Sequence, residues 1–253
     1  MRIIRICILW MLLLCGGALR AESDGQIFAA ANEAYRQKDY VKAEQLYGSL
    51  VGRGVVSADL FYNMGNTCYR LNRLGESLLW YERALRLKPS NADIRANIAY
   101  VNSRTVDQME VLPVFFLKRW FDSLRGLFSV TGWALFSIVS ALLFFAGLAF
   151  FLLAGSLRLR MRLLLLDFFL FCILALGIGM AFAQRHALER EDEAVVTALS
   201  VQVRSMPDAS GTELFTVHEG MKVRLADEVG EWTEAIFPNG SKGWILTRQI
   251  TVI

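Results

Sequence analysis

The sequence is short of the side chains on which most catalysis depends, with two histidines and four cysteines among 253 residues. Its formal net charge of +3 is small and does not suggest a protein that binds nucleic acid. The chain contains no Gly-x-Ser-x-Gly, no His-Glu-x-x-His, no Cys-x-x-Cys pair and no phosphate-binding loop, so the common hydrolase, zinc-protease, redox and nucleotide motifs are missing. We therefore expect a non-enzymatic protein without catalytic residues, cofactor or metal site.

The cysteines do not suggest a disulfide either. Cys7 and Cys15 lie in an N-terminal segment that reads as a leader, Cys68 falls in a predicted soluble helix, and Cys172 lies in a long apolar stretch. A structural disulfide needs two thiols that meet in an oxidising compartment, and Cys68 and Cys172 are not expected to meet. Packing in a helical core is the expected role of Cys68, and a redox sensor is the alternative.

What the sequence has in plenty is apolar residues, at 55% against 20% charged residues, a composition that favours a membrane protein. Trp133–Gly155 contains no charged residue and Leu163–Ala183 contains one. A helix over either stretch would cross the hydrocarbon core of about 30 Å, so we predict transmembrane helices at 133–155 and 163–183. The basic stretch Arg158–Arg162 between them is expected to stay in the cytoplasm, which places both flanking parts on the other side.

Two further segments point to the membrane. Residues 1–21 read as a secretory signal peptide, with basic residues before a short apolar run and small residues after it; an uncleaved anchor is the alternative. Residues 113–128 place aromatic and charged residues on opposite faces of a helix. We predict an amphipathic helix in the membrane plane, with lipid contacts along Val114–Phe128. The alternative is a simple extension of the first transmembrane helix.

A 34-residue repeat organises the segment 24–104. Asn32 recurs as Asn66 and Arg36 as Arg70, since 66 − 32 and 70 − 36 both equal 34. This period, with small residues at fixed offsets, is typical of tetratricopeptide (TPR) helix-turn-helix units, which stack and leave a concave groove for binding. The predicted elements are units at 24–57 and 58–91 and an end helix at 92–104.

The inner helices of these units would line the groove with amides, tyrosines and arginines. An asparagine amide can hold an extended peptide through its main-chain groups, and an arginine fork matches a carboxylate. The set resembles part of the carboxylate clamp of peptide-binding TPR domains, without its lysine. Alternatively, the arginines are solvated and the asparagines pack or cap. The candidate peptide-binding residues are Asn32, Arg36, Tyr62, Asn63, Asn66, Tyr69, Arg70, Asn97, Tyr100 and Arg104.

Residues 194–253 change character again, because short β-branched or aromatic segments alternate with turn signals. Short strands at this spacing predict a small β-barrel. The motif Gly243-Trp244-Ile245 is similar to bacterial SH3-type domains, with Gly243 permitting close strand packing and Trp244 filling one end of the barrel. Trp232 and Trp244 are the surface or core candidates of this SH3-like domain.

The order of these parts resembles the TPR/SH3 proteins of the Bacteroides aerotolerance operon (the BatE-like family). Beside the TPR pattern, the likeness rests on Phe116–Trp133 and Val201–Val223. The resemblance implies an inner-membrane complex with von Willebrand A-type membrane proteins of the same operon and a MoxR-type ATPase.

Together, the residues and the resemblance predict a multidomain membrane protein of all-α TPR helix pairs, a two-helix transmembrane hairpin and a C-terminal small SH3-like β-barrel. Its predicted function is that of a non-enzymatic protein-interaction scaffold, two-pass in the bacterial inner membrane. Partner segments would dock in a periplasmic TPR groove, with the SH3-like domain as a second contact. The alternative is a peptidoglycan-binding module of the cell envelope, in which the TPR units only act as spacers.

Overall fold

The structure, a computed structural model, describes residues 23–109, 112–113 and 115–253, so the predicted signal peptide at 1–21 lies outside the described residues. The helices are α1 (23–36), α2 (Tyr40–Gly52), α3 (Ala58–Arg70), α4 (Leu74–Leu87), α5 (Ala92–Asn102), α6 (Phe116–Arg125), α7 (Val130–Leu153) and α8 (Leu157–Glu189). The strands are β1 (Glu193–Val196), β2 (Ser200–Arg204), β3 (Glu213–His218), β4 (Lys222–Val229), β5 (Trp232–Ile236), β6 (Lys242–Leu246) and β7 (Ile250–Val252).

The repeat in the sequence is also a repeat in the backbone. The turns from α1 to α2 and from α3 to α4 each contain a residue with positive φ, Lys38 at 64° and Asn72 at 60°, and 72 − 38 is again 34. Asp39 starts α2 by accepting a hydrogen bond from the main-chain N–H of Lys42 at 3.2 Å, as N-cap residues do. Two helix-turn-helix pairs followed by the end helix α5 are therefore present, as the 34-residue period predicts.

The second helix pair packs closely at Gly65. A Cβ atom built on Gly65 would lie 2.6 Å from Cδ1 of Tyr81, which is far inside van der Waals contact. Tyr81 and Ala84 of α4 are 2% and 0% exposed, and they fill the seam between α3 and α4. Only glycine allows the two helix backbones to approach this closely over a tyrosine ring.

The two long apolar helices α7 and α8 pack against each other as a hairpin joined by residues 154–156. Gly147 faces Asp167, and Gly177 faces Phe136 and Ser137, so small residues set the approach of the helices. Both helices are long and apolar enough to cross a membrane. Their outer faces carry exposed Leu and Phe side chains, up to 82% at Leu153.

The helix ends differ from those predicted, because α8 begins at Leu157 rather than at residue 163. The hydroxyl of Ser156 accepts a hydrogen bond from the main-chain N–H of Leu159 at 3.4 Å and so caps the helix before its basic residues. The basic stretch Arg158–Arg162 therefore belongs to the first turns of α8.

Helix α6 is a separate element and does not simply extend α7. The residues from Gly126 to Ser129 separate them, and Trp133 Nε1 donates to the carbonyl oxygen of Arg125 at 2.9 Å. Aromatic side chains along one side of α6 have no protein cover: Phe116 is 66% and Trp120 65% exposed. Such a face matches the predicted amphipathic character.

The C-terminal strands form one antiparallel sheet in the order β3-β2-β6-β5-β4-β1-β7. The predicted barrel is not closed, because β3 and β7 remain as unpaired edges and β2 meets β6 at one residue pair, Arg204 and Trp244. The sheet still has a buried face, on which Val201, Val217 and Ile245 are 0% exposed. Strand number and spacing predict a small sheet but do not decide whether it closes.

The TPR helices and the sheet pack directly on each other, mainly through α4 and β1. Val195 and Ile253 belong to the same buried cluster as the TPR helices. The Nζ atom of Lys222 lies 3.0 Å from the carboxylate of Glu82 and 2.9 Å from that of Glu193. Burial opposes the charge of Lys222, but these two carboxylates outweigh it and raise the pKa of the ammonium group.

Three more hydrogen bonds join the same two regions. The main-chain N–H of Gly75 donates to Glu219 Oε2 at 2.9 Å, and Arg83 donates to the carbonyl oxygen of Val252 at 2.6 Å. Asp107, on the segment that leaves the TPR helices, lies 3.0 Å from Nδ1 of His218. The TPR region and the sheet therefore form one packed unit.

Candidate functional site

The inner surface of the TPR helices contains a hydrogen-bond network that repeats with the sequence. Asn32 Oδ1 accepts from the hydroxyl of Tyr47 at 2.6 Å and from Asn63 Nδ2 at 2.9 Å. In the next unit, Asn66 Oδ1 accepts from the hydroxyl of Tyr81 at 2.7 Å and from the amide of the end helix at 3.3 Å. We call this the floor network; its members are Asn32, Tyr47, Asn63, Asn66, Tyr81 and Asn97.

The floor network ties consecutive units together. Each asparagine oxygen is bonded to a tyrosine of its own unit and to an amide of the next, so the network crosses from α1 to α3 and from α3 to α5. Burial raises the pKa of the Tyr47 hydroxyl to about 12 and that of Tyr81 well above its ordinary value. Both hydroxyls therefore stay neutral donors near neutral pH.

The network also leaves hydrogen-bond donors unused. An asparagine amide offers one acceptor oxygen and two N–H donors, and the network uses the oxygens of Asn32 and Asn66. Within the described ranges, the Nδ2 groups of these two residues donate to no acceptor. A small cavity of about 240 Å³ lies over this surface. Its lining residues are Asn32, Tyr35, Arg36, Tyr47, Asn63 and Asn66.

The repeated arginines lie at the ends of the inner helices, and we call Arg36, Arg70 and Arg104 the arginine strip. Arg36 ends α1 and donates from Nε to Glu33 Oε2 at 3.0 Å; this contact lowers the pKa of Glu33. Arg70 ends α3, where a cation also suits the negative end of the helix dipole. Arg104 follows α5 by two residues.

The last two members of the arginine strip, Arg70 and Arg104, lie near tyrosine rings instead of pairing with acids. The guanidinium carbon of Arg104 lies 4.7 Å from the ring centroid of Tyr100, and that of Arg70 lies 6.0 Å from the ring of Tyr40. The neighbouring hydroxyl of Tyr35 raises the pKa of Arg70. Across the part of the chain that the structure describes, neither Arg70 nor Arg104 has a carboxylate within salt-bridge distance.

The remaining predicted groove residues are tyrosines that join neighbouring inner helices. The rings of Tyr69 and Tyr100 lie 5.7 Å apart, and the hydroxyl of Tyr69 donates to that of Tyr100 at 3.3 Å. This hydrogen bond raises the pKa of Tyr69. The hydroxyl of Tyr62 accepts from Asn97 Nδ2 at 3.1 Å. The structure thus brings the predicted groove residues onto one surface. It adds Tyr35 and Tyr47, which lie within the repeat but are absent from the candidate set.

A second polar cluster contains the one buried cysteine among the described residues. Ligand atoms of Glu44, Cys68 and Glu76 lie within 4.8 Å of one another, but the guanidinium of Arg73 contacts both carboxylates, Glu76 at 3.2 Å. Burial raises the pKa of the Cys68 thiol to about 12, so the reactive thiolate is suppressed. The cluster is an ion-pair network around a buried thiol, as expected for a cysteine that packs in a helical core.

In the sheet, the two candidate tryptophans occupy different surroundings. Trp232 is half-buried and borders a cleft of about 620 Å³ whose other lining side chains are mostly polar. Trp244 does not fill a barrel end, which corrects that prediction. Gly243 and Ile245 are buried beside it while Trp244 is only half-buried, because successive strand residues point to opposite faces. The glycine prediction holds, since a Cβ on Gly243 would lie 2.3 Å from Cγ1 of Val203.

Comparison with known families agrees with the helical part of this description. A family model for the TPR repeat matches residues 65–105, a range that covers the second half of α3, all of α4 and α5. No curated protein matches the chain. TPR repeats are typically non-catalytic modules that bind other proteins in their concave groove, so the inner surface just described is the candidate interaction site.

Proposed function

We propose that this protein is a membrane-anchored, non-enzymatic scaffold whose TPR groove docks a carboxylate-bearing segment of a partner protein. The observation that carries the proposal is the arginine strip, in which Arg70 and Arg104 have no described carboxylate partner. Arginine binds carboxylates through two parallel hydrogen bonds.

The floor network supports the same ligand chemistry. The oxygens of Asn32 and Asn66 are already bonded within the protein, whereas their amide N–H groups point to no described acceptor. These free amide N–H donors, beside the arginine strip, suit a ligand rich in acceptors. An acidic segment, or a chain end with a free carboxylate, has this property.

The membrane placement that we propose is a two-pass hairpin of α7 and α8 in the bacterial inner membrane. The direct contacts between α4 and β1 require the TPR helices and the sheet to lie on one side. The cations Arg158, Arg160 and Arg162 lie at the opposite end of the hairpin, beside the turn at 154–156. Because cytoplasmic ends are rich in Lys and Arg, we infer that the TPR groove and the sheet are periplasmic.

Reporter fusions test this placement. Fusions after Arg104 and after Ile253 should both report a periplasmic position, and one at Gly155 should report a cytoplasmic one. A cytoplasmic reading after Ile253 would contradict the two-pass arrangement.

The docking itself is tested with a photocrosslinking amino acid in the full chain in its native membrane. A crosslinker at Tyr100, which lies in the end helix beside Arg104, should capture a partner, and Arg70→Ala should reduce the yield. The matched position is Val41 on α2, which is 56% exposed and lies outside the strip. Equal capture from both positions would mean that the groove has no special role.

The SH3-like sheet is proposed as a second contact, and the resemblance to the aerotolerance operon family supports von Willebrand A-type membrane proteins as partners.

The cleft beside Trp232 supports a second candidate function, that of a peptidoglycan-binding module. An aromatic ring among polar neighbours such as Gln202, Arg204 and Arg248 suits a sugar or a short peptide. Under this alternative, purified sacculi should sediment the full chain and Trp232→Ala should abolish sedimentation; under the scaffold proposal neither should occur.

A further inference from the structure

A large cleft with many charged side chains in its lining lies apart from the TPR groove. It has a volume of about 1020 Å³. Its walls come from α4, the start of α5, the polar face of α6, the end of α8 and the starts of β1 and β4. We call it the interface cleft, because the ends of α6 and α8 that border it are those beside the predicted membrane surface.

The interface cleft has an excess of positive charge. Its lining contains five cations and three carboxylates, a difference of +2. Lys222 is neutralised by Glu82 and Glu193, and Arg125 lies 3.3 Å from Asp122. The cations without a described carboxylate partner are Arg86, Arg95 and Arg119.

Two of these three cations are held in place by main-chain oxygens. Arg86 donates to the carbonyl oxygens of Ala187 and Leu188, each at 3.0 Å, so it joins α4 to the end of α8. It also donates to main-chain oxygens of Arg190 and Ile253. Arg95 donates to the carbonyl oxygen of Pro89. Both terminal nitrogens of Arg86 are therefore in use, whereas Arg95 and Arg119 keep hydrogen-bond donors without a described partner and can bind an anion.

One buried polar atom in the cleft lacks the partner that such atoms normally have. The Nε atom of Arg125 is buried and has no hydrogen-bond partner among the described residues. Gln184 on α8 lines the cleft with a side chain that is 4% exposed. Its amide makes no hydrogen bond within the described ranges. An unpaired guanidinium nitrogen and an unpaired amide in a cationic cleft are the groups that would bind a polyoxygen anion.

Helix α6 presents two different faces at this place. Arg119, Asp122, Ser123 and Gly126 recur at helical spacing and line the cleft. On the other side, Trp120 is 65% exposed, as suits an apolar face buried among lipid chains. A lipid whose tails lie along the aromatic face would therefore have its headgroup at the level of the cleft.

We infer that the interface cleft is a binding site for a phosphate-bearing anion, and that the headgroup of an anionic phospholipid is the source that its position favours. Arginine is suited to phosphate because its planar fork makes two parallel hydrogen bonds. Basic pockets beside membrane helices recognise anionic headgroups by the same chemistry. This inference rests on the membrane placement proposed above, not on docking in the TPR groove.

The test uses the full chain in detergent, examined by native mass spectrometry with added phosphatidylglycerol or phosphatidylcholine. The wild type should retain phosphatidylglycerol in preference to phosphatidylcholine. Arg119→Gln should reduce that retention about tenfold, since it removes a charge-assisted hydrogen bond, and Arg119→Lys should restore only part of it. Lys118→Gln is the matched control, because Lys118 is an exposed cation on the same helix that does not line the cleft.

A second arm distinguishes the two sources of phosphate. Inorganic phosphate is titrated into lipid-free protein and followed by the shift in thermal unfolding. Arg119-dependent stabilisation would support the site with a free anion as its ligand, whereas retention of phosphatidylglycerol alone would support it with lipid. Equal lipid retention by wild type, Arg119→Gln and Lys118→Gln would overturn the inference, as would equal retention of phosphatidylcholine.

The failure of this inference can be told from the failure of the proposed placement. If alkaline carbonate releases the chain from membranes, the placement is wrong. If the chain resists carbonate while lipid retention is insensitive to Arg119→Gln, the placement stands and the cleft is not a headgroup site.

Discussion

The floor network and the arginine strip lie on the same inner surface of the TPR helices but use their polar groups in opposite ways. In the floor network, Asn32 and Asn66 turn their oxygens inward to tyrosines and to the next unit. In the arginine strip, Arg70 and Arg104 remain at the surface beside aromatic rings. A repeated polar residue is therefore not by itself evidence for binding. The repeated asparagines form hydrogen bonds within the protein, whereas the repeated arginines remain accessible to a ligand.

Mutations can test this difference between the floor network and the arginine strip. Changes in the floor network and its seam should alter stability, whereas changes in the arginine strip should alter binding and leave stability nearly constant. All of the following unfolding measurements use the full chain in detergent, because Val195 and Ile253 of the sheet share a buried cluster with the TPR helices.

The largest effect is expected at the seam beneath the floor, from Gly65→Ala. The new methyl group would lie 2.6 Å from the ring of Tyr81, so the helices must separate or the ring must move. We expect a loss of about 2–3 kcal/mol in the free energy of unfolding, measured by urea unfolding followed by circular dichroism. The control is Gly48→Ala on α2, where a Cβ would make an ordinary contact of 3.7 Å with Met64. Helix propensity favours alanine over glycine in both helices, so an equal loss in both variants would mean that the seam does not set the effect.

Next in size is Asn66→Ala, which removes an acceptor shared by two donors. The hydroxyl of Tyr81 at 2.7 Å and the amide of Asn97 at 3.3 Å would both lose this bond. A partly buried group left unpaired costs about 1–2 kcal/mol, measurable in the same urea experiment. Asn102→Ala, at an exposed position at the end of α5, should stay within about 0.5 kcal/mol. Full stability of Asn66→Ala would show that the network does not hold the units together.

Removing only the hydroxyl of a floor tyrosine should have a smaller effect. Tyr47→Phe and Tyr81→Phe both keep the ring. Tyr47→Phe deletes the bond to Asn32 at 2.6 Å, and Tyr81→Phe deletes the bond to Asn66 at 2.7 Å together with a long one from Asn97 at 3.4 Å, so we expect losses of about 1 kcal/mol. The two values should be similar because the contacts are one repeat apart. Very different values would mean that the two units are not equivalent.

The same variants make a prediction about alkaline pH. Because the pKa of Tyr47 is raised to about 12 in the folded protein, against about 10 when unfolded, the folded state holds the proton more tightly. The stability that this hydroxyl contributes is complete below about pH 10 and is lost as pH rises toward 12. Tyr47→Phe should show a shallower decline of stability over that range in urea titrations; an identical decline would place the titrating group elsewhere.

The smallest change in stability is expected for Arg70→Ala. The Arg70 side chain is exposed and has no described carboxylate partner, and such surface substitutions usually stay within about 0.5 kcal/mol. Urea unfolding of this variant should therefore overlay the wild type. A loss comparable to that of Asn66→Ala would assign Arg70 to the structure and not to a binding surface.

The TPR region could be predicted from the sequence because its contacts repeat. The 34-residue period fixes the register of the helix pairs, and it correctly predicts two helix pairs followed by an end helix. It did not show that the oxygens of Asn32 and Asn66 are used within the fold. That contact depends on how the side chains of three helices meet, and spacing along a single chain does not contain this information.

The sheet and its contacts were less predictable. The bonds from Gly75 to Glu219 and from Lys222 to Glu82 join residues far apart in the chain, and no local pattern signals them. Trp244 is different, since a signal was present. If Gly243 must be buried to permit close strand packing, then the strand period of two puts Trp244 on the other face, and Ile245 becomes the core residue.

The most direct test of the central claim measures binding and stability on one set of variants. A fluorescent acidic pentapeptide with a free terminal carboxylate is titrated by anisotropy against the full chain, beside a neutral peptide with a terminal amide. We predict that the acidic peptide binds in preference, that Arg70→Ala and Arg70→Lys weaken it about tenfold or more, and that salt weakens it further. Arg53→Ala, which removes a cation paired with Asp24 at 3.2 Å outside the strip, should bind as the wild type does. Equal affinity for both peptides, or equal binding by wild type and Arg70→Ala at low and high salt, would contradict the account.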